Sequence, residues 1–280
     1  MRRLDRAGRR SWVRRAVAVV ALATAPGGAG AAQHGSAPKP DVIFEPTPQR
    51  SVEAMLDAAG VGPDDVVYDL GSGDGRIVVT AARRHGARGV GIDIDPARVE
   101  EGRERARRHG VDGRVRFLQS DLFEADISEA SVVTLYLLEK LNARLRPRLL
   151  EQLRPGSRVV SYRFTMGDWE PDLLTRAGAR NIYMWVIPAP VEGRWELRTA
   201  DRRRIVLDLV QRYQRVHGTI TRNGWREPIL EARADGHAIR IVTGDGTLEA
   251  RVDSDAIVLT DADGTQVARG RRTGPPVITP

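Results

Sequence analysis

The sequence predicts an α/β fold with a mostly parallel, doubly wound sheet, followed by a small antiparallel β meander or partial barrel. A strand, a glycine turn and a helix follow one another over residues 66–85, which is typical of a parallel sheet. Strand-like and helix-like segments then alternate as far as residue 162, which favours the same arrangement. From about residue 194, short apolar runs are separated by Asn-Gly and Asp-Gly pairs, which are strong signals for antiparallel hairpins.

Composition excludes several classes of function. The chain of 280 residues has no cysteine, which excludes a disulfide partner, a cysteine-ligated metal and a cysteine nucleophile. The formal net charge is +7, but residues 1–32 hold seven arginines and one aspartate, and the remainder has 37 basic and 36 acidic residues. Because the body of the chain is nearly neutral, no broad basic footprint is present and we expect no nucleic-acid partner.

The first 32 residues have the three parts of a secretory signal peptide. An arginine-rich start precedes an apolar run at residues 16–25, and small residues at 29–32 offer a cleavage site. The run is shorter than the roughly 20 residues that span a bilayer. A disordered basic tail and an uncleaved anchor are the alternatives, and an anchor would be the chain's membrane contact. We expect an exported protein, periplasmic or secreted, or a membrane-anchored one, and a cytoplasmic one if the signal is not functional.

A polar linker is predicted over residues 33–43, and the first domain over residues 44–190. This domain begins with F-E-P-T-P at residues 44–48 and a short amphipathic helix whose N-cap is Ser51. One interpretation of the two prolines is a turn into the domain. The other is a lid over a bound ligand, to which Thr47 can form a hydrogen bond.

The glycine turn follows a strand at residues 66–68 that Asp69 ends. Glycine tolerates positive φ and lets a ligand approach the backbone, and the following helix offers free N–H groups at its start. Glycine turns also occur in ordinary βα units. The candidate ligand-contacting residues in this turn are Gly71, Ser72, Gly73 and Gly75.

Acidic residues follow the next strands of the predicted sheet, and parallel strands bring their carboxyl ends to one edge. Asp93, with Ile94 beside it, comes about 20 residues after the glycine turn, where a doubly wound fold places the carboxylate that binds ribose hydroxyls. Asp121 can accept a hydrogen bond from an adenine amino group while Leu122 packs on the ring. A loop carboxylate or an N-cap is the alternative for Asp121. Tyr136 follows the fourth strand at the same edge.

The segment D-L-G-S-G-D-G at residues 69–75 resembles the first motif of class I S-adenosylmethionine (SAM)-dependent methyltransferases, which have a Rossmann-like sheet. This resemblance implies SAM as cofactor, Asp69 near its amino acid end, and Tyr136 facing the methyl group. At the end of the fourth strand, residues 134–137 read T-L-Y-L rather than N-P-P-[YF], which argues against methylation of an adenine amino group. Without cysteine, methylation of cytosine C5 through a cysteine nucleophile is also excluded.

Motifs outside residues 69–75 narrow the resemblance to one group of methyltransferases. Residues 44–48, 121–123, 163–164 and 169–171 are similar to the small lysine methyltransferases that modify the adenine nucleotide translocase and the ATP synthase c-subunit, and to bacterial relatives. The likeness covers about residues 44–171 and implies a protein lysine as acceptor, with Tyr136 and Thr47 as candidate catalytic residues. A small-molecule or lipid methyltransferase is one alternative. An exported binding protein that keeps the fold without turnover is another.

A second, β-rich domain is predicted over residues 191–275, with a flexible tail at 276–280. It contains no catalytic constellation, and His217 and His237 are isolated, so no metal site is expected. Docking of a substrate, dimerisation and simple cover of the first sheet are the open roles for this domain. Its predicted strands lie at residues 205–210, 229–232, 238–242, 248–252, 256–259 and 266–268.

Overall fold

Two β-sheets follow one another in a computed structural model of the chain, which describes residues 45–275. The signal segment at 1–32, the linker at 33–43, Phe44 and the tail at 276–280 lie outside the described residues. Within residues 45–275, none of the helices is both long enough and apolar enough to cross a membrane.

The first sheet has seven strands with helices on both faces. The helices are α1 Gln49–Ala58, α2 Arg76–His85, α3 Pro96–Arg108 and α4 Glu139–Gln152. The strands are β1 Val66–Leu70, β2 Arg88–Asp93, β3 Val115–Gln119, β4 Val132–Leu135, β5 Arg158–Tyr162, β6 Leu173–Ala177 and β7 Arg180–Val186. Their order is β3-β2-β1-β4-β5-β7-β6, and the first five run parallel. β7 is antiparallel to both β5 and β6.

β1 is an inner strand of this sheet and is covered on both faces. Its five residues are all buried, and successive side chains enter different cores. Val67 packs in the cluster that contains residues of α1 and α2, whereas Tyr68 packs in the cluster that contains residues of α4. This period of two is the pattern of a strand that is covered on both faces.

The predicted N-cap of the first helix is wrong. α1 begins at Gln49, so Ser51 is a buried residue of the first turn and not the N-cap, which is Pro48. The fixed φ of Pro48 places the chain at the helix start without a side-chain cap. α4 begins at Glu139 and runs through Pro147 without interruption. Pro147 is exposed, and solvent can satisfy the carbonyl group that loses its N–H partner there.

The second sheet is antiparallel and closes on itself. Its strands are β8 Gly193–Thr199, β9 Arg204–Arg212, β10 Arg215–Arg222, β11 Trp225–Pro228, β12 Glu231–Asp235, β13 Ala238–Thr243, β14 Gly246–Asp253, β15 Ala256–Asp261 and β16 Gln266–Gly274. The order β10-β12-β13-β14-β15-β16-β8-β9 returns to β10, because β9 pairs with β10 over eight residue pairs. The predicted meander or partial barrel is therefore a closed barrel, with β11 as an extra strand on β10. The Asn-Gly and Asp-Gly pairs lie at four of its hairpin turns.

The barrel packs against the end of the first sheet through a buried contact around Trp169. The indole N–H of Trp169 donates to Gln214 Oε1 at 2.7 Å, and the ring stacks on Tyr213 with centroids 5.4 Å apart. An ion pair joins Asp168 to Arg212 beside this contact. The described residues of both sheets thus belong to one compact unit, and Trp169 is a packing residue at their junction.

Candidate active site

A cavity of about 800 Å³ lies at the carboxyl ends of β1, β2 and β4. The register of these strands sets Asp69 opposite Gly91 on one side and Thr134 on the other, so the loops that follow all leave from one edge. The sequence-predicted residues that line the cavity are Thr47, Asp69, Gly71, Ser72, Asp93, Ile94, Asp121, Leu122 and Tyr136. Other lining residues are Glu45, Pro46, Asp74, Arg76, Ile77, Asp95, Arg98, Phe123, Leu137, Leu138, Leu141, Arg163 and Phe164.

Asp93 holds the glycine turn in place. Its Oδ2 accepts from the N–H of Gly73 at 2.8 Å, and its Oδ1 accepts from the N–H of Asp95 at 3.0 Å. The N–H groups of Gly71 and Ser72 donate to the carbonyl oxygen of Ile92 at 2.8 and 2.9 Å. Each carboxylate oxygen of Asp93 keeps a further lone pair for a ligand hydroxyl.

Gly73 and Gly75 are not among the residues that line the cavity, and their contact with a ligand stays a prediction. Gly75 has φ +74° and precedes α2, and a Cβ there would lie 2.5 Å from the ring of Phe117. Its lack of a side chain allows the turn to pack closely on β3. Gly71 does line the cavity, and its φ is +80°.

Asp69 is a buried carboxyl group at the floor of the cavity, with 3% of its surface exposed. It accepts a hydrogen bond from Thr134 Oγ1 at 2.8 Å. Burial raises the pKa of Asp69 to about 7, and the nearby charges of Asp93 and Asp74 act in the same direction. Within residues 45–275 no basic side chain pairs with Asp69, so its ionised form lacks a counter-charge from the described protein. A cationic ligand would supply one.

A cluster of one acid and two arginines ties the cavity wall together, and sequence reasoning missed it. Asp74 bonds to Arg76 and Arg105, with Nη2 of each arginine 2.6 Å from Asp74 Oδ2. Burial alone would raise the pKa of Asp74, but the hydrogen bonds and charges of the two arginines lower it. Arg76 also donates to the carbonyl oxygen of Thr47 at 2.8 Å. The Glu45–Pro48 segment is thereby fastened to the glycine turn.

Asp121 and Leu122 lie where a ligand base was predicted. Both line the cavity, with Ile94 nearby on the same wall. Asp121 Oδ1 accepts from the N–H of Phe123 at 2.8 Å, which is the bond expected of a loop carboxylate. Its contact with adenine stays a prediction.

Aromatic side chains also line the cavity, among them Tyr136 and Phe164. The ring of Tyr136 lies 5.0 Å from that of Tyr162 and 6.3 Å from that of Phe164, measured between centroids. Its hydroxyl accepts from Nη1 of Arg163 at 2.7 Å. Burial and the neighbouring Glu45 carboxylate raise the pKa of Tyr136, although Arg163 opposes them.

The donor set fits an adenosine-type cofactor with a cationic group. Ser72 is 5% exposed, and its hydroxyl oxygen has no hydrogen-bond partner although the residue lines the cavity. This orphaned hydroxyl, the free lone pairs of Asp93 and the unpaired Asp69 are the groups that a ribose and an amino acid end would satisfy. The described part of the chain contains no cluster of His, Asp and Glu residues suited to a metal ion.

Comparisons with known proteins agree with this geometry. The family described as ANTKMT methyltransferase domain matches residues 69–173. A protein-lysine N-methyltransferase from Saccharolobus islandicus is 42% identical over 153 residues, which are 53% of this chain and 95% of that relative. The human lysine N-methyltransferase of the ATP synthase c-subunit is 32% identical over 142 residues, which are 51% of this chain and 60% of the relative.

A solved structure supports the fold and the cofactor. An RNA methyltransferase from Salinibacter ruber in complex with S-adenosyl-L-homocysteine is 56% identical, with a TM-score of 0.52. The match covers 52% of this chain and 96% of that chain. The motif, the cavity and these relatives lead to one conclusion: the chain belongs to the ANTKMT-type methyltransferase family and is a SAM-dependent enzyme.

Proposed function

We propose that this enzyme transfers the methyl group of SAM to the ε-amine of lysine side chains in proteins. The observation that carries the proposal is that one cavity brings together the polar groups of Asp69, Ser72 and Asp93 and aromatic side chains such as Tyr136 and Phe164. A lysine side chain is a flexible apolar stem that ends in an amine, and aromatic rings can pack against that stem. The names of the relatives that share the fold support the same acceptor.

The protein's task in such a reaction is to position the reactants and to exclude water. SAM supplies an electrophilic methyl group when it is bound. With that group in place, attack by the amine lone pair would form an N–C bond as the C–S bond breaks with its electron pair going to sulfur, and the methylated ammonium would release a proton to solvent. We assign Asp93 to the ribose hydroxyls and Asp69 to the cationic amino acid end. Tyr136 and Thr47 are assigned to the space beside the amine, where they orient it.

RNA is the second candidate acceptor, because the Salinibacter ruber protein is described as an RNA methyltransferase. The charge distribution favours protein. Outside residues 1–32 the chain has 37 basic and 36 acidic residues, whereas RNA binding relies on a surplus of positive charge. A small-molecule or lipid acceptor has no specific observation in its favour.

The test is transfer of tritiated methyl groups from SAM to two separate fractions of one bacterial extract, its total protein and its total RNA. We expect label in the protein fraction that survives nuclease treatment and that elutes as methylated lysine after acid hydrolysis. The D93A variant is the inactive control. Label that is confined to the RNA fraction, or an absence of methyl-lysine from an enzyme that binds S-adenosyl-L-homocysteine, would refute the proposal.

Self-labelling needs its own control. The chain contains two lysines, Lys39 and Lys140, and Lys140 is exposed on α4. A variant with K39R and K140R should methylate the extract as the unchanged enzyme does. Loss of all label in that variant would show that the enzyme had modified only itself.

We also propose that the protein is exported or anchored in a membrane by residues 1–32. This rests on their arginine-rich, apolar and small-residue parts. Because SAM is made in the cytoplasm, export would require a supply of cofactor or export with the cofactor bound. Sequencing the N-terminus of the native protein tests this proposal. An intact Met1 on a soluble cytoplasmic protein would refute it.

A further inference from the structure

Arg163 places a fixed positive charge beside aromatic side chains that line the cavity. Its guanidinium carbon lies 5.8 Å from the ring centroid of Tyr136 and 5.3 Å from that of Phe164. Its Nη1 donates to the hydroxyl of Tyr136 at 2.7 Å and to Glu45 Oε2 at 3.4 Å. Arg163 therefore lines the part of the cavity that the proposed function assigns to the acceptor amine.

The backbone holds Arg163 in an uncommon conformation. Its φ is +72°, which L-residues with long side chains rarely adopt. Its N–H donates to the carbonyl oxygen of Asn181 at 2.9 Å. Conformations of this kind persist only where surrounding contacts impose them, and they cluster at functional sites.

A buried polar network also holds the loop that contains Arg163 in this conformation. Asn142 is fully buried, and its Nδ2 donates to Ser161 Oγ at 3.1 Å and to the carbonyl oxygen of Thr165 at 3.2 Å. Ser161 Oγ in turn donates to the carbonyl oxygen of Phe164 at 2.7 Å. The loop after β5 is thus fastened to α4 on the residues that flank Arg163.

The charged and titratable groups that face Arg163 offset its positive charge in part, and one of them, Glu45, forms an ion pair with it at 3.4 Å. They are Glu45 from the segment before α1, Tyr136 after β4 and Tyr162 at the end of β5. The side chain of Glu45 is 68% exposed and therefore well solvated, whereas that of Arg163 is 27% exposed. On α4, Glu139 is bonded to Thr165 Oγ1 rather than to Arg163.

We propose that Arg163 is a specificity-determining residue that admits the acceptor lysine as the neutral amine and rejects its ammonium form. This inference rests on the proposed lysine acceptor. A like charge disfavours the charged form of a neighbouring group, and a guanidinium keeps its own proton at every pH of interest. The ammonium gives its proton to solvent on entry, which leaves the nitrogen lone pair free to attack. An arginine is suited to this role because it cannot take up or release that proton itself.

The test counts protons when the lysine analogue n-butylamine binds to the full chain saturated with S-adenosyl-L-homocysteine. Isothermal titration at pH 7.5 in two buffers of different ionisation enthalpy gives the number of protons released per amine. Free alkyl amines are almost wholly protonated at this pH, since their pKa values resemble that of lysine, about 10.4. The variants are R163M, which keeps the length without the charge, and R163K, which keeps a charge.

We expect release of about one proton per amine from the unchanged enzyme and from R163K, and close to none from R163M. All three should bind S-adenosyl-L-homocysteine with affinities within about twofold, which shows that folding and the cofactor end are intact. A merely structural role for Arg163 would change the affinity for the amine but not the proton count.

Two outcomes would overturn the inference while leaving the proposed function standing. In one, the unchanged enzyme binds the amine without releasing a proton. In the other, R163M still releases about one proton for each amine that binds. If n-butylamine binds to none of the three proteins, the amine site itself is absent, and the proposed function falls with the inference.

Discussion

Replacing Asp69 with asparagine should make the cofactor-free enzyme more stable and its cofactor binding weaker. The substitution keeps the shape of the side chain and an oxygen that can accept from Thr134 Oγ1, but it removes the ionisable group. Asp69 is 3% exposed, and burial raises its pKa from 3.8 to about 7. The folded protein therefore holds a proton on Asp69 between these two pH values, where the unfolded chain has released it.

The sign of the effect follows from this difference in bound protons. Because the folded state binds more protons above pH 3.8, ionisation of Asp69 lowers the free energy of unfolding as the pH rises towards 7, and the loss is complete above that. One pKa unit corresponds to about 1.4 kcal/mol, so the full cost is on the order of 4 kcal/mol. About 3 kcal/mol of it should develop between pH 5 and pH 8.

Urea unfolding of the unchanged enzyme and of D69N at pH 5, 6, 7 and 8 measures this cost. The advantage of D69N should grow with pH and level off above about 7. Calorimetry should show that D69N binds S-adenosyl-L-homocysteine at least about tenfold more weakly, since a charge-assisted contact contributes about 1.5–3 kcal/mol. A stability difference that is the same at all four pH values would refute the reasoning, as would a D69N enzyme that is less stable at pH 8.

Three further predictions concern the glycine turn and the contact between Trp169 and the barrel. D93A should weaken binding of S-adenosyl-L-homocysteine by about tenfold or more in calorimetry, because Asp93 holds Gly73 and is assigned to the ribose; unchanged affinity would remove it from the site. G75A should lower the free energy of unfolding by about 1–3 kcal/mol, since the new Cβ overlaps an aromatic ring, whereas G62A, which meets open space, should change it far less. Equal losses in the two glycine variants would contradict the packing role. Q214A should cost about 1–3 kcal/mol in urea unfolding, because the indole N–H of Trp169 would be buried without a partner; an unchanged midpoint would contradict this.

The parallel part of the fold could be predicted because its signals are local. Each strand is a short apolar run, and the glycine turn and Asp93 are separated by a spacing that the βα unit itself sets. The hairpin turns of the barrel could also be predicted, since Asn-Gly and Asp-Gly pairs favour the backbone conformations that such turns need. Closure of the barrel could not, because it depends on the long-range pairing of β8 with β16, and neither β8 nor β10 was among the predicted strands.

Some features of the site could be predicted and others could not, again because only some of the signals are local in sequence. Residues at strand ends, such as Asp69 and Tyr136, share an edge as soon as the strands are parallel. The conformation of Arg163 depends on Asn142, which lies in the preceding helix. No sequence pattern indicates that Asn142 contacts the loop of Arg163. The packing of Gly75 on Phe117 could not be predicted, because a glycine motif does not reveal which ring lies against which glycine.

The contact at Trp169 connects the barrel to the loop that carries Arg163. The loop after β5 carries Arg163 near its start and Trp169 near its end, and the barrel hairpin at Tyr213 and Gln214 holds that end. The cofactor end of the cavity has no such attachment among the described residues; its loops are fastened to one another. Mild heating that loosens the barrel should therefore abolish methyl transfer while binding of S-adenosyl-L-homocysteine persists. The two functions of one cavity would then have separate melting temperatures.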